Sequence, residues 1–424
     1  MKVLQLSSDD FSGGAQRAAY RLHCALLHEQ VDSRMRVLRH QTANDRVIAG
    51  RPPRSLKNKI ITRGKRIFDD YRLRQFKTDN LIMHTFGNES AGLVDELNRD
   101  LAEVLNLHWI SQLLSIKDIA RLRKPIVWTF HDMWAFCGGE HVAPDQSDSR
   151  FRAGYLENNR PGGESGPDLN REAWEAKRLA WANKKISVVT PSKWMAKCVR
   201  ESVLFRDAPV YVIPNPLEMQ ELWRPMPRAF AKAALGLDLN KRFILAGSAG
   251  GMPHLKGEDL LRDALAKVVA QGSRHDKAIE LLVFGQYQPA TSLEWPCPVH
   301  WLGPIRDDHV LATAYAAAEV MVVPSRQDNL PNTAVEAQAC GIPVAAFSIG
   351  GLPDIVKHQE TGWLAPAFDT LDLASGIIWI LDNPNRLDSL SQSARTLALK
   401  KYSNSVVAEQ YQQAYEAAVS ASAT

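Results

Sequence analysis

The sequence predicts an α/β protein made of two doubly wound parallel sheets in tandem. Three observations carry that expectation. At 424 residues the chain is too long for one hydrophobic core, and two or three domains are expected. Short apolar runs alternate with helix-length segments, the pattern of parallel βαβ units. The alternation breaks at Pro214-Asn215-Pro216, with Pro225 and Pro227 beyond, and then starts again. A border there gives an N-terminal domain over 1–217, with a last helix at 400–420 packing back on it, and a second domain over 218–399.

Bulk properties narrow the class. The composition is 45% hydrophobic and 23% charged, as in soluble globular proteins. No apolar segment reaches the roughly 18 residues that span a bilayer. The opening Met1-Lys2-Val3-Leu4-Gln5-Leu6 is too short for a signal peptide and reads as a buried strand. A net charge of +4 argues against a strong nucleic-acid binder. The five cysteines (24, 137, 198, 297 and 340) include no Cys-x-x-Cys pair, which fits reduced thiols in a cytoplasm and argues against structural zinc.

In the first half, strands are expected at 3–6, 35–38, 104–107, 126–130, 186–190 and 210–213. Gly13-Gly14 sits between the first strand and a helix over 16–28, where glycine lets the backbone approach a ligand. It is not the Gly-x-Gly-x-x-Gly dinucleotide fingerprint, which disfavours a nicotinamide oxidoreductase. His108 follows the strand at 104–107, and His131-Asp132-Met133-Trp134 follows the apolar strand at 126–130. Ligands of open α/β sheets bind beyond the carboxyl ends of strands, so both histidines are candidates. Between Arg51 and Lys77 ten basic residues face only Asp69 and Asp70, with Leu56, Ile60, Ile67, Phe68 and Tyr71 at helical spacing. That segment fits either an anionic membrane surface or a solvated helix. The polar stretch 138–168 fits an acceptor-side lid or a plain insertion.

In the second half, strands are expected at 243–247, 281–285, 300–303 and 320–323. The loop from Gly247 to Gly257 is rich in glycine and holds Lys256 before a helix, and backbone donors plus an ammonium suit a diphosphate. After the strand at 320–323 come Pro324-Ser325, Asp328, and a helix starting near Pro331 or Asn332 and ending at Cys340-Gly341. The N–H groups of Asn332, Thr333 and Ala334 at that helix start suit a phosphate, and Glu336 can accept from sugar hydroxyls. Beyond Thr370 two helical stretches are expected, the last over 406–418.

Asp328, seven residues, Glu336, then Ala337-Gln338-Ala339-Cys340-Gly341-Ile342-Pro343-Val344 and Gly350-Gly351-Leu352-Pro353-Asp354 resemble the C-terminal signature of the family-4 retaining glycosyltransferases. The Thr-Pro-Ser and Ile-Pro-Asn pairings near 190 and 213 also resemble that family. The resemblance implies the GT-B architecture, two Rossmann-like domains facing a cleft. It implies transfer of a hexose-type sugar from a nucleoside diphosphate sugar to a saccharide or lipid-linked acceptor, as in bacterial surface polysaccharide assembly. It implies no cofactor and no metal, and a cytoplasmic protein, with residues 51–77 a candidate for the inner membrane face. By the same resemblance, Glu336 binds the donor ribose, Asp328 and His131 lie near the transferred sugar, and Lys256, Asn332 and Thr333 hold the diphosphate. Gly13 and Gly14 border the donor or acceptor, and Gly285 and Ile305 the nucleobase. Three departures stand out. Asp328 replaces the usual glutamate, Asn329-Leu330-Pro331-Asn332-Thr333 replaces the common glycine-rich spacer, and no arginine lies between Gly247 and Lys256, where His254 is a stand-in. A nucleotide-sugar 2-epimerase and a non-catalytic nucleotide-sugar-binding subunit remain as alternatives.

Overall fold

The computed structural model describes residues 1–50, 71–248, 253–271, 278–288 and 294–423. Most of the basic segment 51–77 lies outside them, as do residues 249–252 of the glycine-rich loop. The chain divides into two compact units, Met1–Ile213 with Gln410–Thr424, and Pro214–Glu409. The last helix, Asn404–Ala423, is divided between them at 409/410.

The first unit holds seven described strands: β1 (Lys2–Leu6), β2 (Asp32–Arg36), β3 (Val47–Ile48), β4 (Val104–Leu107), β5 (Ile126–Thr129), β6 (Ile186–Thr190) and β7 (Val210–Val212). They pair in parallel in the order β3-β2-β1-β4-β5-β6-β7. The order reverses between β1 and β4, so the crevice beyond their carboxyl ends is where such a sheet takes ligands. β4, β5 and β6 are buried throughout, as central parallel strands covered on both faces must be. The core behind them is aromatic, with Trp128 edge-on to Phe130 and Trp181.

Local chemistry ends the helices where the sequence allows. Ser115 and Asp118 form a reciprocal capping box at the helix Ile116–Arg121, and Ser192 accepts from the Met195 N–H at the start of Lys193–Glu201. One expected strand moves: residues 35–38 were the expectation, and β2 runs Asp32–Arg36. Its paired stretch is set by register against β1, where Lys2 faces Asp32 and Leu6 faces Arg36, rather than by the apolar residues alone.

The second unit has β8 (Arg242–Gly247), β9 (Ile279–Phe284), β10 (Val299–Gly303), β11 (Val320–Val323), β12 (Val344–Phe347) and β13 (Gly362–Ala365). Its described strands are parallel in the order β10-β9-β8-β11-β12-β13, reversing between β8 and β11. Two apolar layers cover its faces, one with Tyr315 and Trp223, the other with Phe347 and Ile377. Beyond Thr370 there are three helices rather than two, Thr370–Leu381, Pro384–Tyr402 and Asn404–Ala423. Asn383 caps the middle one and Pro384 opens it, so the chain restarts there. Among the described residues, no helix is long and apolar enough to cross a membrane.

Candidate active site

The switch point of the second sheet carries a pocket. Gly247 and Ser248 from the end of β8, Gly285 from the end of β9, and Ser325 and Asp328 from beyond β11 line it, with Lys256 and Thr333. Lys256 Nζ lies 2.7 Å from Asp328 Oδ2, and Ser325 Oγ donates to the same oxygen at 3.3 Å. The sequence-predicted Lys256, Asp328, Thr333 and Gly285 therefore come together here.

The glycines of the region answer to close backbone approaches. Gly350 has φ +52°, and a Cβ there would stand 2.1 Å from the Asp328 carbonyl oxygen. That same oxygen accepts the Gly351 N–H at 3.0 Å. The Gly350-Gly351 turn thus clamps the backbone of Asp328. Gly257, at φ +69°, similarly lets the Lys256 loop pass the Pro324 carbonyl, which a Cβ would approach to 2.0 Å.

The helix after the acid loop runs Asn332–Ala339, with Cys340 as its cap and Gly341 at φ +75° beyond, as its sequence predicts. Of the three N–H groups expected to serve a phosphate, that of Ala334 is already used. It donates to the Pro331 carbonyl at 3.1 Å because the helix opens with a tight first turn. Asn332 Oδ1 accepts from Asn215 at 3.0 Å, tying the helix start to the proline-rich break. Glu336 is 3% exposed and stands outside the pocket lining, its Oε2 accepting the Tyr315 hydroxyl at 2.9 Å. Ile305 is likewise outside that lining, packed against the core.

Where an arginine was missing before Lys256, Arg326 reaches in from the acid loop. It donates to the His254 carbonyl at 2.9 Å and, with both terminal nitrogens, to Asp259 at 2.8 and 2.7 Å. Hydrogen bonding to Arg326 pulls the Asp259 carboxyl down to about 2. The fork ties the loop that bears Lys256 to the loop that bears Asp328. Linear spacing could not have shown it, since the two residues are separated by 67 positions.

In the first unit, Gly13 caps the helix Gly14–His28, and its carbonyl accepts the Arg17 N–H at 2.8 Å. Two buried carboxylates that sequence reasoning passed over shape this loop. Asp9 accepts from the N–H groups of Phe11 and Ser12 at 2.7 and 2.8 Å, and Asp10 from those of Gln41 and Thr42 at 2.9 and 3.0 Å. The Ser-Ser-Asp-Asp run was the available signal, as short acids are turn formers.

His131 stands just beyond β5, its ring stacked on His108 with 5.3 Å between centroids and 3.0 Å between His131 Nε2 and His108 Nδ1. Burial lowers the His131 pKa to about 4, against a smaller upward pull from Asp132. Asp132 is held in turn, 2.7 Å from His141 Nδ1, and accepts the Trp134 N–H at 2.9 Å.

The stretch 138–168 folds onto its own unit. Arg150 pairs with Asp168 at 2.8 Å and lies over the Tyr155 ring, which stacks on Trp174. Beneath it the fully buried Lys177 ammonium donates to the carbonyls of Trp134, Cys137 (3.0 Å) and Gly138 (2.6 Å). Those three acceptors use its three protons and hold the turn after His131-Asp132 in shape.

Solved structures sharing the fold include sucrose-phosphate synthase from Thermosynechococcus elongatus, with TM-score 0.63, 18% identity and 99% of this chain and 100% of that one covered. Another is Anabaena HepE in complex with UDP-glucose, with TM-score 0.63, 16% identity and coverage of 98% and 100%. The fold is that of the GT-B glycosyltransferases. The family model for Glycosyltransferase Family 4 matches residues 12–221, and that for Glycosyl transferases group 1 matches 241–383. The chain belongs to this glycosyltransferase family. The D-inositol 3-phosphate glycosyltransferase of Thermobispora bispora is 33% identical over 193 residues, 42% of this chain and 44% of that relative. That of Rhodococcus jostii is 33% identical over 184 residues, 41% and 40%. The match thus spans less than half the length of these curated relatives.

Proposed function

We propose that the protein is a retaining glycosyltransferase that moves a hexose-type sugar from a nucleoside diphosphate sugar to a hydroxyl of a saccharide or lipid-linked saccharide. The observation that carries this reading is the pocket at the β8/β11 switch point, where an ammonium, a helix start and a carboxylate converge. Lys256 and the Asn332–Thr333 helix start take the negative charge that grows on the diphosphate as the bond to the sugar breaks. The Lys256–Asp328 pair is partly exposed, with side chains 36% and 14% accessible, and such pairs contribute only about 0–1 kcal/mol. A diphosphate can therefore draw the ammonium away at small cost. Asp328, freed of Lys256, faces the sugar. Glu336 serves the ribose, Gly13 and Gly14 border donor or acceptor, and Gly285 and Ile305 the nucleobase.

Support for the donor class comes from HepE, whose structure holds UDP-glucose. UDP-glucose is accordingly the first donor to try. A role in surface polysaccharide assembly at the cytoplasmic membrane face, with residues 51–77 making the contact, belongs to the same reading. The experiment is a thermal-shift screen with UDP-, GDP- and ADP-sugars, followed by transfer assays with the stabilising donor. One class of donor should raise the melting temperature and be consumed only with acceptor present. Acceptor-independent release of an altered sugar favours the epimerase instead. Absence of both stabilisation and turnover removes the proposal.

A further inference from the structure

We propose that Arg326 is a positioning residue that sets the main chain on both sides of Lys256, so that the ammonium stays aimed at the pocket when a diphosphate takes it from Asp328. This rests on the nucleoside diphosphate reading for its use, but its geometry lies wholly within the second unit. Lys256 ends a four-residue helix, Pro253–Lys256, and Gly257 alone separates it from the next helix, Glu258–Gln271. A single helical turn fixes several residues for very few bonds of its own. Its path is therefore set by whatever grips it from outside.

That grip comes from Pro324 and Arg326. Before Lys256, the His254 carbonyl accepts Arg326 Nη1 at 2.9 Å. After it, Asp259 Oδ1 and Oδ2 accept Arg326 Nη1 and Nη2 at 2.8 and 2.7 Å. One rigid guanidinium thus spans both flanks of Lys256. The Arg326 backbone N–H adds a bond to the Leu255 carbonyl at 2.8 Å, and Gly257, at φ +69°, lies against the Pro324 carbonyl. Asp328, which holds Lys256 at 2.7 Å, follows in the same loop, so one segment places both members of the pair. The Arg326–Asp259 pair is a weak staple for the fold as a whole. Its side chains are 23 and 52% exposed, and such pairs contribute about 0–1 kcal/mol. What a planar fork supplies is direction, which the point charge of a lysine cannot give. Arg326 stands outside the pocket lining, so it acts through Lys256 and not upon the ligand.

The test has one arm without nucleotide and one with it. Protein labelled with ¹³C-lysine gives a Cε signal for Lys256, assigned by Lys256→Arg, and Asp328→Asn should move it by removing the carboxylate beside it. Arg326→Gln and Asp259→Ala should move the signal in the same direction. Arg326→Lys keeps the charge but loses the fork, and should do the same. In calorimetry with UDP and the other nucleoside diphosphates in turn, Arg326→Gln and Arg326→Lys should each weaken binding by about threefold or more. Beside Lys256→Ala, the same changes should cost less than about twofold, because the residue they act through is gone. A Lys256 signal that stays in place in folded Asp259→Ala overturns the proposal, which keeps the test open should Arg326→Gln not fold. So does full affinity in Arg326→Lys, or an equal loss with and without Lys256, either of which makes the guanidinium's charge the ligand contact. If the wild type binds no nucleoside diphosphate, the functional reading falls, and the Lys256 signal still decides this one.

Discussion

Replacing Gly350 by alanine probes the site through its backbone. At φ +52° a Cβ costs roughly 1–2 kcal/mol in the left-handed region. A second effect is contact: the added carbon would lie 2.1 Å from the Asp328 carbonyl oxygen, backbone that cannot swing aside as a flexible side chain does. Relief requires a shift on the order of 1 Å, which breaks the Gly351 N–H bond to that oxygen and forfeits about 1 kcal/mol more. The sum is roughly 2–3 kcal/mol, and at about 2–4 °C per kcal/mol for a unit of this size the melting temperature should fall by about 4–12 °C. Because the displaced residue carries the carboxylate beside Lys256, kcat/KM for the donor should fall by about tenfold or more as well. Thermal melts and donor kinetics on the folded variant provide the readout. Wild-type values for both would refute the argument that this glycine exists to admit Asp328.

Further expectations concern the first unit. Lys177→Met removes three protons from three buried carbonyls and relieves a buried charge; the net loss should be about 2–4 kcal/mol, seen as a lower melting temperature. Equal stability would mean the carbonyls find other donors. His23, fully buried with its Nδ1 2.8 Å from Ser33 Oγ, has a folded pKa lowered from 6.5 to about 4, chiefly by burial and then by Arg46. The unfolded chain therefore binds the extra proton first, and stability is lost as pH falls from about 6.5 to about 4, by up to roughly 3 kcal/mol from this residue. His131 acts in the same direction and window. Melts of wild type and His23→Gln across that range should converge towards acid pH; parallel curves would count against the assignment.

The fold was legible because parallel strands buried on both faces are nearly pure apolar runs. β4, β6 and β11 fall where Val104–Leu107, Ile186–Thr190 and Val320–Val323 put them. β3 is two residues long, and β13 reads Gly-Trp-Leu-Ala with no β-branched residue, so neither left a pattern to find. The pocket was legible for a related reason: Gly257 and Gly350 record close backbone approaches in the only way a sequence can. What pairs across long separations was not. Arg326 with Asp259, Tyr315 with Glu336, and His108 with His131 depend on which strand ends lie together.

The central claim is that the β8/β11 pocket binds a nucleoside diphosphate through Lys256. Titrating UDP, and the other nucleoside diphosphates in turn, into wild type and Lys256→Ala by calorimetry tests it most directly. One of them should bind saturably, with affinity weakened at least about tenfold in the variant, a loss of roughly 1.4 kcal/mol or more. Equal affinity in the two proteins would contradict it.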